Sequence, residues 1–311
     1  MNRVISTGSI IVDLTVSVSA VPLPGGDVLA SPLQALVGGG FNLAAAASRH
    51  GAHVVYAGVI GSGPYGQLAS AALASEGITR VPGAAASGDT GVCITLVDDQ
   101  AERTFITSPG AESRLAPEHL DAVRPQSDDV VCVSGYDAVY EGSRDALTEW
   151  VESLPLGTTV VFDPGPLVDE IPESIWNALL ARTDVLTLND AEAEQLTPGV
   201  VPTDQHFALR ELLRLRPETA TVIRRGSTGC TWRSNGAHGH VSAPRVVAVD
   251  TTGAGDTHTG TMAAALAEGF DLPTALRRAN VAAADSVTRR GPATAPTRAQ
   301  LDALLVRAAA S

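Results

Sequence analysis

From residue 129 onward the chain alternates short, wholly apolar β-prone runs with amphipathic helical stretches, and few folds accept that alternation. Asp129 to Ser134, Thr158 to Asp163, Asp184 to Asn189 and Thr219 to Arg225 read as strands, with helices read at Ser143 to Ser153, Pro172 to Arg182 and Asp204 to Leu215. A strand with no polar alternation offers neither face to water, so both must be covered. Strands separated by helices satisfy this by pairing in parallel, with the helices layered above and below. The pattern therefore predicts an α/β fold built on a parallel sheet. Such sheets bind ligands beyond the carboxyl ends of their strands, and Asp163, Asn189 and the pair Arg225-Gly226 fall at such ends.

The amino-terminal third has a different pattern. Residues 13–37 carry Pro22-Leu23-Pro24-Gly25-Gly26 between β-prone flanks, and residues 88–108 read as two strands around Asp98-Asp99-Gln100. Two β pieces far apart in sequence, neither followed by a covering helix, are expected to pair into a small sheet that forms a lid over the carboxyl edge of the main one. Asn235-Gly236 predicts a further hairpin over Cys230 to Val241.

The 311 residues suffice for one large core. A formal charge of −13 opposes binding to nucleic acid or an anionic membrane, so a polyanionic ligand must be met by local donors or a metal. Cys93, Cys132 and Cys230 are odd in number and widely spaced, which disfavours a zinc site or a disulfide framework and suits a reducing cytoplasm. Arg3 and the apolar stretch after it resemble a secretory leader, but Asp13 interrupts the stretch. The alternation of Val4, Ser6, Ile10, Val12, Leu14, Val16 and Val18 reads instead as a strand. No run approaches the roughly 18 apolar residues of a membrane span. A soluble cytoplasmic protein is expected.

The segment Val249 to Gly260 puts Gly253, Gly255 and Asp256 where a helix should begin, near Gly255, to run as far as Gly269. Free N–H groups at such a turn and the helix dipole attract an anion. Asp256 is then either a capping residue or the base of a phosphoryl transfer to a hydroxyl. Gly38-Gly39-Gly40 precede a helix read from Asn42 to Gly51 and give the backbone room to approach a ligand or to hinge. A third helix is read from Pro273 to Arg289. Asp13, in an apolar strand, either pairs locally or holds a polyol. Asn189 and Glu192 suit a helix cap, or a magnesium–phosphate ligand held through water. Arg224 to Gly229 could turn the chain, cradle phosphate or line a base. His258 lies off the face of Asp256 and reads as a group behind the site or on its nucleotide side.

Gly61 to Gly66 matches Gly-x-Gly-x-x-Gly, the feature on which an NAD-dependent oxidoreductase would rest. Pro64 removes an amide that a pyrophosphate would use, and Val81-Pro82 stand where an acid should bind ribose, so the segment reads as a loop. Neither a Gly-x-Ser-x-Gly elbow nor a Walker lysine motif occurs.

Four of these segments, Gly38 to Asn42, Asn189 to Glu192, Arg225 to Gly229 and Asp250 to Asp256, resemble in content and order the ribokinase or PfkB family of carbohydrate and nucleoside kinases. The resemblance spans essentially the whole chain. It implies a ribokinase-like three-layer α/β/α domain over residues 1–311, with a β-sheet lid that in many members pairs with a second subunit, here a possible homodimer. It implies that Asp256 is the catalytic base and that Gly253, Ala254, Gly255 and Asp256 form an anion hole. Asp13, Gly38, Gly39 and Asn42 would serve the substrate, and Asn189, Glu192, Arg225, Gly226, Gly229 and Asn280 the nucleotide. ATP and Mg²⁺ are implied, the latter near Glu192 through water, and K⁺ is implied at Asp250 and Thr252. Leu167 stands where some sugar-kinase branches carry arginine, which favours a neutral sugar, with a nucleoside as the alternative.

Overall fold

The computed structural model describes residues 3–81, 87–100 and 102–310; Pro82 and Ala101 lie outside them. Among the described residues thirteen strands divide between two sheets: β1 Arg3–Ser6, β2 Ile10–Ser17, β3 Gln34–Gly39, β4 His53–Tyr56, β5 Thr79–Arg80, β6 Val92–Val97, β7 Arg103–Ser108, β8 Val130–Ser134, β9 Thr159–Asp163, β10 Val185–Asn189, β11 Ala220–Arg224, β12 Cys230–Ser234 and β13 Ala237–Val241. The helices in chain order are α1 Gly40–Arg49, α2 Pro64–Ser75, α3 Pro117–Leu120, α4 Gly135–Val139, α5 Arg144–Glu152, α6 Glu173–Arg182, α7 Asp190–Leu196, α8 Gln205–Leu212, α9 Ala254–Ala267, α10 Leu272–Ser286 and α11 Arg298–Ala310.

The larger sheet has the order β13-β12-β11-β10-β9-β8-β1-β4-β5, and every neighbouring pair from β5 to β11 is parallel. Its apolar runs divide by parity. Val4, Val54, Val130, Val161, Val185 and Val222 pack towards the alanine-rich α1, α9 and α10, whereas Ile5, Val55, Val131, Phe162, Leu186 and Ile223 pack towards α5, α6 and α8. Each fully buried side chain of this size contributes roughly 1.5–3 kcal/mol, and double-sided burial explains why the runs lack polar alternation. The Asn235-Gly236 turn has both residues at positive φ and closes the antiparallel β12–β13 hairpin.

The smaller sheet has the order β3-β2-β6-β7, with β2 antiparallel to β3 and parallel to β6. It combines the two β pieces anticipated from residues 13–37 and 88–108. Buried and half-buried residues alternate along β2, while β7 is exposed throughout, as befits a one-sided sheet.

The single amino-terminal strand expected from Val4 to Val18 is in fact two, broken at Thr7–Ser9, with β1 in the large sheet and β2 in the small one. The alternation continues across the break, so periodicity could not show it. What requires the break is a close crossing: a Cβ on Gly40 would lie 2.2 Å from the Gly8 carbonyl oxygen, and the Gly40 amide donates to Ser9 O at 2.8 Å. This crossing also starts α1 at Gly40, two residues before the expected Asn42. Helix α10 runs from Leu272 to Ser286 rather than to Arg289.

Candidate active site

The strand order reverses at β1, between the branch to β4 and β5 and the return to β8, which opens a crevice at the carboxyl edge. Helix α9 begins over this edge. Gly253 caps it in the left-handed region at φ 72°, where an L side chain is strained, and Asp256 lies in the first turn. A Cβ on Gly260 would approach Leu43 O to 2.3 Å, so the absence of a side chain there lets α9 lie close against α1. Through that contact Asn42 of α1 reaches Asp256, donating from Nδ2 to Oδ2 at 3.0 Å. The Asn42 Oδ1 is buried and has no hydrogen-bond partner among the described residues. Burial above all pushes the Asp256 carboxyl up; Asn42 and Arg224 oppose the shift and the Asp163 charge adds to it, leaving the group at about 6.

The lid brings a second carboxylate to this place. Asp13 on β2 is raised to about 6, first by burial and then by the charge of Asp256. Gly38 on β3 leaves it room, because a Cβ there would lie 2.0 Å from Asp13 Oδ2. Gly39, at φ 61°, passes within a Cβ's reach of Ser9 O at 2.5 Å. Asp13, Gly38, Gly39, Asn42, Gly253 and Asp256 thus gather at one point, from segments more than 200 positions apart in the chain.

Beyond Asp256 the strand ends carry an ionic network. Arg224 bonds Asp163 Oδ2 at 2.5 Å, Thr259 Oγ1 at 2.9 Å and Thr187 Oγ1 at 3.1 Å, and lies 3.5 Å from Glu192 Oε2. Its guanidinium also faces the backbone of Gly255. Asn189 and Glu192 form a reciprocal cap, with Glu192 accepting from the Asn189 amide and Nδ2 at 2.7 Å each and Asn189 Oδ1 accepting from the Glu192 amide at 2.8 Å. Burial, reinforced by Asp163, raises the Glu192 carboxyl.

Arg225 is not part of this group. Its guanidinium bonds Asp190 Oδ1 at 2.5 Å, Gln205 Oε1 at 2.8 Å and Pro202 O at 3.1 Å, and so holds α7 and α8 against the sheet. The sequence marked Arg224 only as the first residue of the segment running to Gly229, and the family resemblance assigned the nucleotide to Arg225. The signal that separates them is parity: Val222 faces α9 and Ile223 the opposite layer, so Arg224 continues on the α9 side and Arg225 on the other. Gly226, at φ 54°, and Gly229, at φ 103°, form the turn that follows, and a Cβ on Gly229 would collide with Val241 O. Asn280 donates to Val241 O at 2.7 Å and thereby ties α10 to the hairpin. His258 is buried with neither ring nitrogen hydrogen-bonded among the described residues; burial lowers it to about 3, and the ring is neutral.

Gly61 to Gly66 has no vacancy for a pyrophosphate. Asp89 already accepts from the amides of Tyr65 at 3.0 Å and Gly66 at 2.7 Å at the start of α2. The segment is a loop leading into α2, and the dinucleotide alternative loses its site.

The pattern of the pfkB family carbohydrate kinases matches residues 1–298. The chain belongs to this family. It is therefore a phosphotransferase with a hydroxyl acceptor. An uncharacterized sugar kinase of Escherichia coli is 29% identical over 299 residues, covering 96% of this chain and 92% of that protein. The ribokinase of Bacillus subtilis is 30% identical over 308 residues, covering 98% and 100%. Among solved structures, the kinase superposes on a ribokinase from Thermotoga maritima with a TM-score of 0.83 at 27% identity, covering 98% of this chain and all of the other. Its architecture is ribokinase-like, with the four-stranded sheet as the lid. Among the described residues no helix is long and apolar enough to cross a membrane.

Proposed function

We propose that the kinase transfers the γ-phosphoryl group of ATP to a hydroxyl of a small neutral sugar, in the cytoplasm. One observation carries the reading: beside the Gly253 cap, Asn42 Nδ2 donates to Asp256 Oδ2 and so holds that carboxylate at the start of α9, while Asp256 Oδ1 accepts no hydrogen bond among the described residues. A half-buried carboxylate with one oxygen free beside a helix amino terminus is what a ligand hydroxyl would satisfy. Asp13 supplies further acceptors on the lid side. Clustered carboxylates favour a donor-rich, uncharged polyol over an anionic substrate.

Asp256 takes the proton of the attacking hydroxyl. As its oxygen bonds to the γ-phosphorus, the bond to the β–γ bridging oxygen breaks and ADP leaves. Amides of Gly253 to Asp256 and the start of α9 meet the charge on the transferring group. A carboxyl near 6 is ionised at neutral pH yet basic enough to share the proton. Magnesium bound with the nucleotide would screen the charge of its phosphates. Glu192 Oε1 accepts one protein hydrogen bond and would keep a lone pair for a metal-bound water, whereas Oε2 also faces Arg224. Gly226 and Gly229 shape the turn beside the nucleotide, and Asn280 acts on that side by holding the hairpin in place.

Closure of the small sheet over the sugar would exclude water and suppress ATP hydrolysis. Ile94 and Ile106, cross-strand partners on the face opposite Asp13, are exposed, which supports pairing of two lids in a homodimer. The test is ATP consumption against a panel of pentoses, hexoses and nucleosides. Turnover with neutral sugars is expected; turnover confined to nucleosides would move the assignment to that branch, and none with any alcohol would overturn it.

A further inference from the structure

The residues that hold Asp250 lead beyond this reading. Asp250 and Thr252 precede the Gly253 cap, in the segment where the family resemblance places a monovalent cation. Arg103, on the outer lid strand β7, reaches across to them. Its Nη2 bonds Asp250 Oδ1 at 2.7 Å, and its Nη1 bonds Thr252 Oγ1. The carboxylate has further donors: the Thr252 amide at 3.0 Å and hydroxyl at 2.8 Å on Oδ1, and the Gly291 amide at 2.9 Å on Oδ2. Burial alone would raise Asp250, but Arg103, Gly291 and Thr252 outweigh it and hold the carboxyl well below the usual aspartate range.

This donor set does not fit an added metal ion. Both carboxylate oxygens are engaged by N–H and O–H donors, and a guanidinium already stands where a cation would neutralise the charge. An uncompensated carboxylate three residues before the cap would repel the phosphoryl oxygens that the amides of Gly253 to Asp256 are there to receive. A positive group at this point lifts that repulsion and fixes the loop that aims the amides.

We propose that Arg103 is a positioning residue that serves as the resident cation of the anion-hole loop, making the kinase independent of potassium. The inference rests on reading Gly253 to Asp256 as an anion hole. Because the arginine is carried by the lid, the charge reaches the loop with closure. The hole is fully organised only when the lid lies over the substrate, and this couples sugar binding to phosphoryl transfer. Arg103 is half-exposed on an edge strand, so its replacement leaves the core untouched.

The experiment compares wild type with Arg103→Gln in potassium, sodium and choline chloride at equal ionic strength, reading ATP turnover and, separately, thermal melting of the protein without substrate. Wild type is expected to show the same rate and melting temperature in all three salts. Arg103→Gln is expected to lose about tenfold or more in rate in choline chloride. Potassium, or guanidinium at low millimolar concentration, should recover much of that loss and raise the melting temperature of the variant but not of wild type. Potassium activation of wild type over choline would overturn the proposal, as would an Arg103→Gln variant that is unimpaired or not rescued by either cation. If no alcohol supports turnover, the kinase reading fails, and the melting curves alone decide this one: salt-specific stabilisation of the variant only supports it, and none refutes it.

Discussion

The two sheets of this kinase use the same strand-forming residues to different ends. The nine-stranded sheet is covered on both faces, and its strand ends hold Arg224, Asp163, Thr187 and Glu192 in a closed ionic network at the base of α9. The four-stranded sheet is covered on one face only, and its polar side chains at the crevice, Asp13 and Arg103, each reach toward partners on the body of the protein. On the proposed reading, chemistry that needs fixed geometry is built on the double-covered sheet, and recognition that must open and close is carried by the sheet with little core of its own. Substitutions in the first should therefore cost stability, and substitutions in the second should cost binding or rate.

The largest effect is expected from Arg224→Ala, which strands Asp163 and Glu192 as buried carboxylates without their counter-charge. Urea unfolding should show a loss of about 3–5 kcal/mol; a loss near zero would break the distinction between the sheets. On the lid, Gly38→Ala would drive a Cβ into Asp13, 2.0 Å away, and displace that carboxylate. The Michaelis constant for the sugar should rise about tenfold, with kcat less affected. A melting temperature that falls as far as in Arg224→Ala would show that the lid is part of the frame.

Dependence on pH probes both sheets at once. Burial raises Asp13 and Asp256 to about 6, and on the proposed reading both must be ionised to accept hydroxyl protons, so kcat/KM should be level above pH 7 and fall below 6, by at least about tenfold per unit. A profile flat down to pH 4.5 would contradict the shared environment of the pair. Stability has its own pH dependence at Asp137, buried in α4, where Ser9 donates to its Oδ1 at 2.6 Å; burial pushes its carboxyl up to about 8. The folded state keeps a proton that the unfolded state loses above about 4. Its contribution is thus complete below pH 4 and is lost as pH rises through 8. Asp137→Asn should flatten the fall in stability between these limits, as read from unfolding midpoints.

Much of the large sheet was legible because its strands read as continuous apolar runs and its helices as 3.6-residue patterns; the Asn235-Gly236 turn announced its own hairpin. The break at Thr7–Ser9 was not legible, because alternation persists through it and only the close crossing of Gly8 with Gly40 imposes it. Within the candidate site, the glycines and Asp256 were marked by local motifs. Arg224 was hidden by its neighbour Arg225, since a two-residue run gives no parity until the strand is fixed. Arg103 was beyond reach altogether: its partners lie 147 and 149 positions away, and only the packing of the lid on the body brings them together.

The central claim is that Asp256 is the base at the junction of the two sheets, and Asp256→Asn tests it most directly. The amide keeps the size of the side chain, so folding and sugar binding should persist, measured by thermal melting and by calorimetric titration. Phosphoryl transfer in the same preparation should fall by about 10²–10⁴-fold. A variant that binds sugar and still phosphorylates it at nearly the wild-type rate would contradict the account.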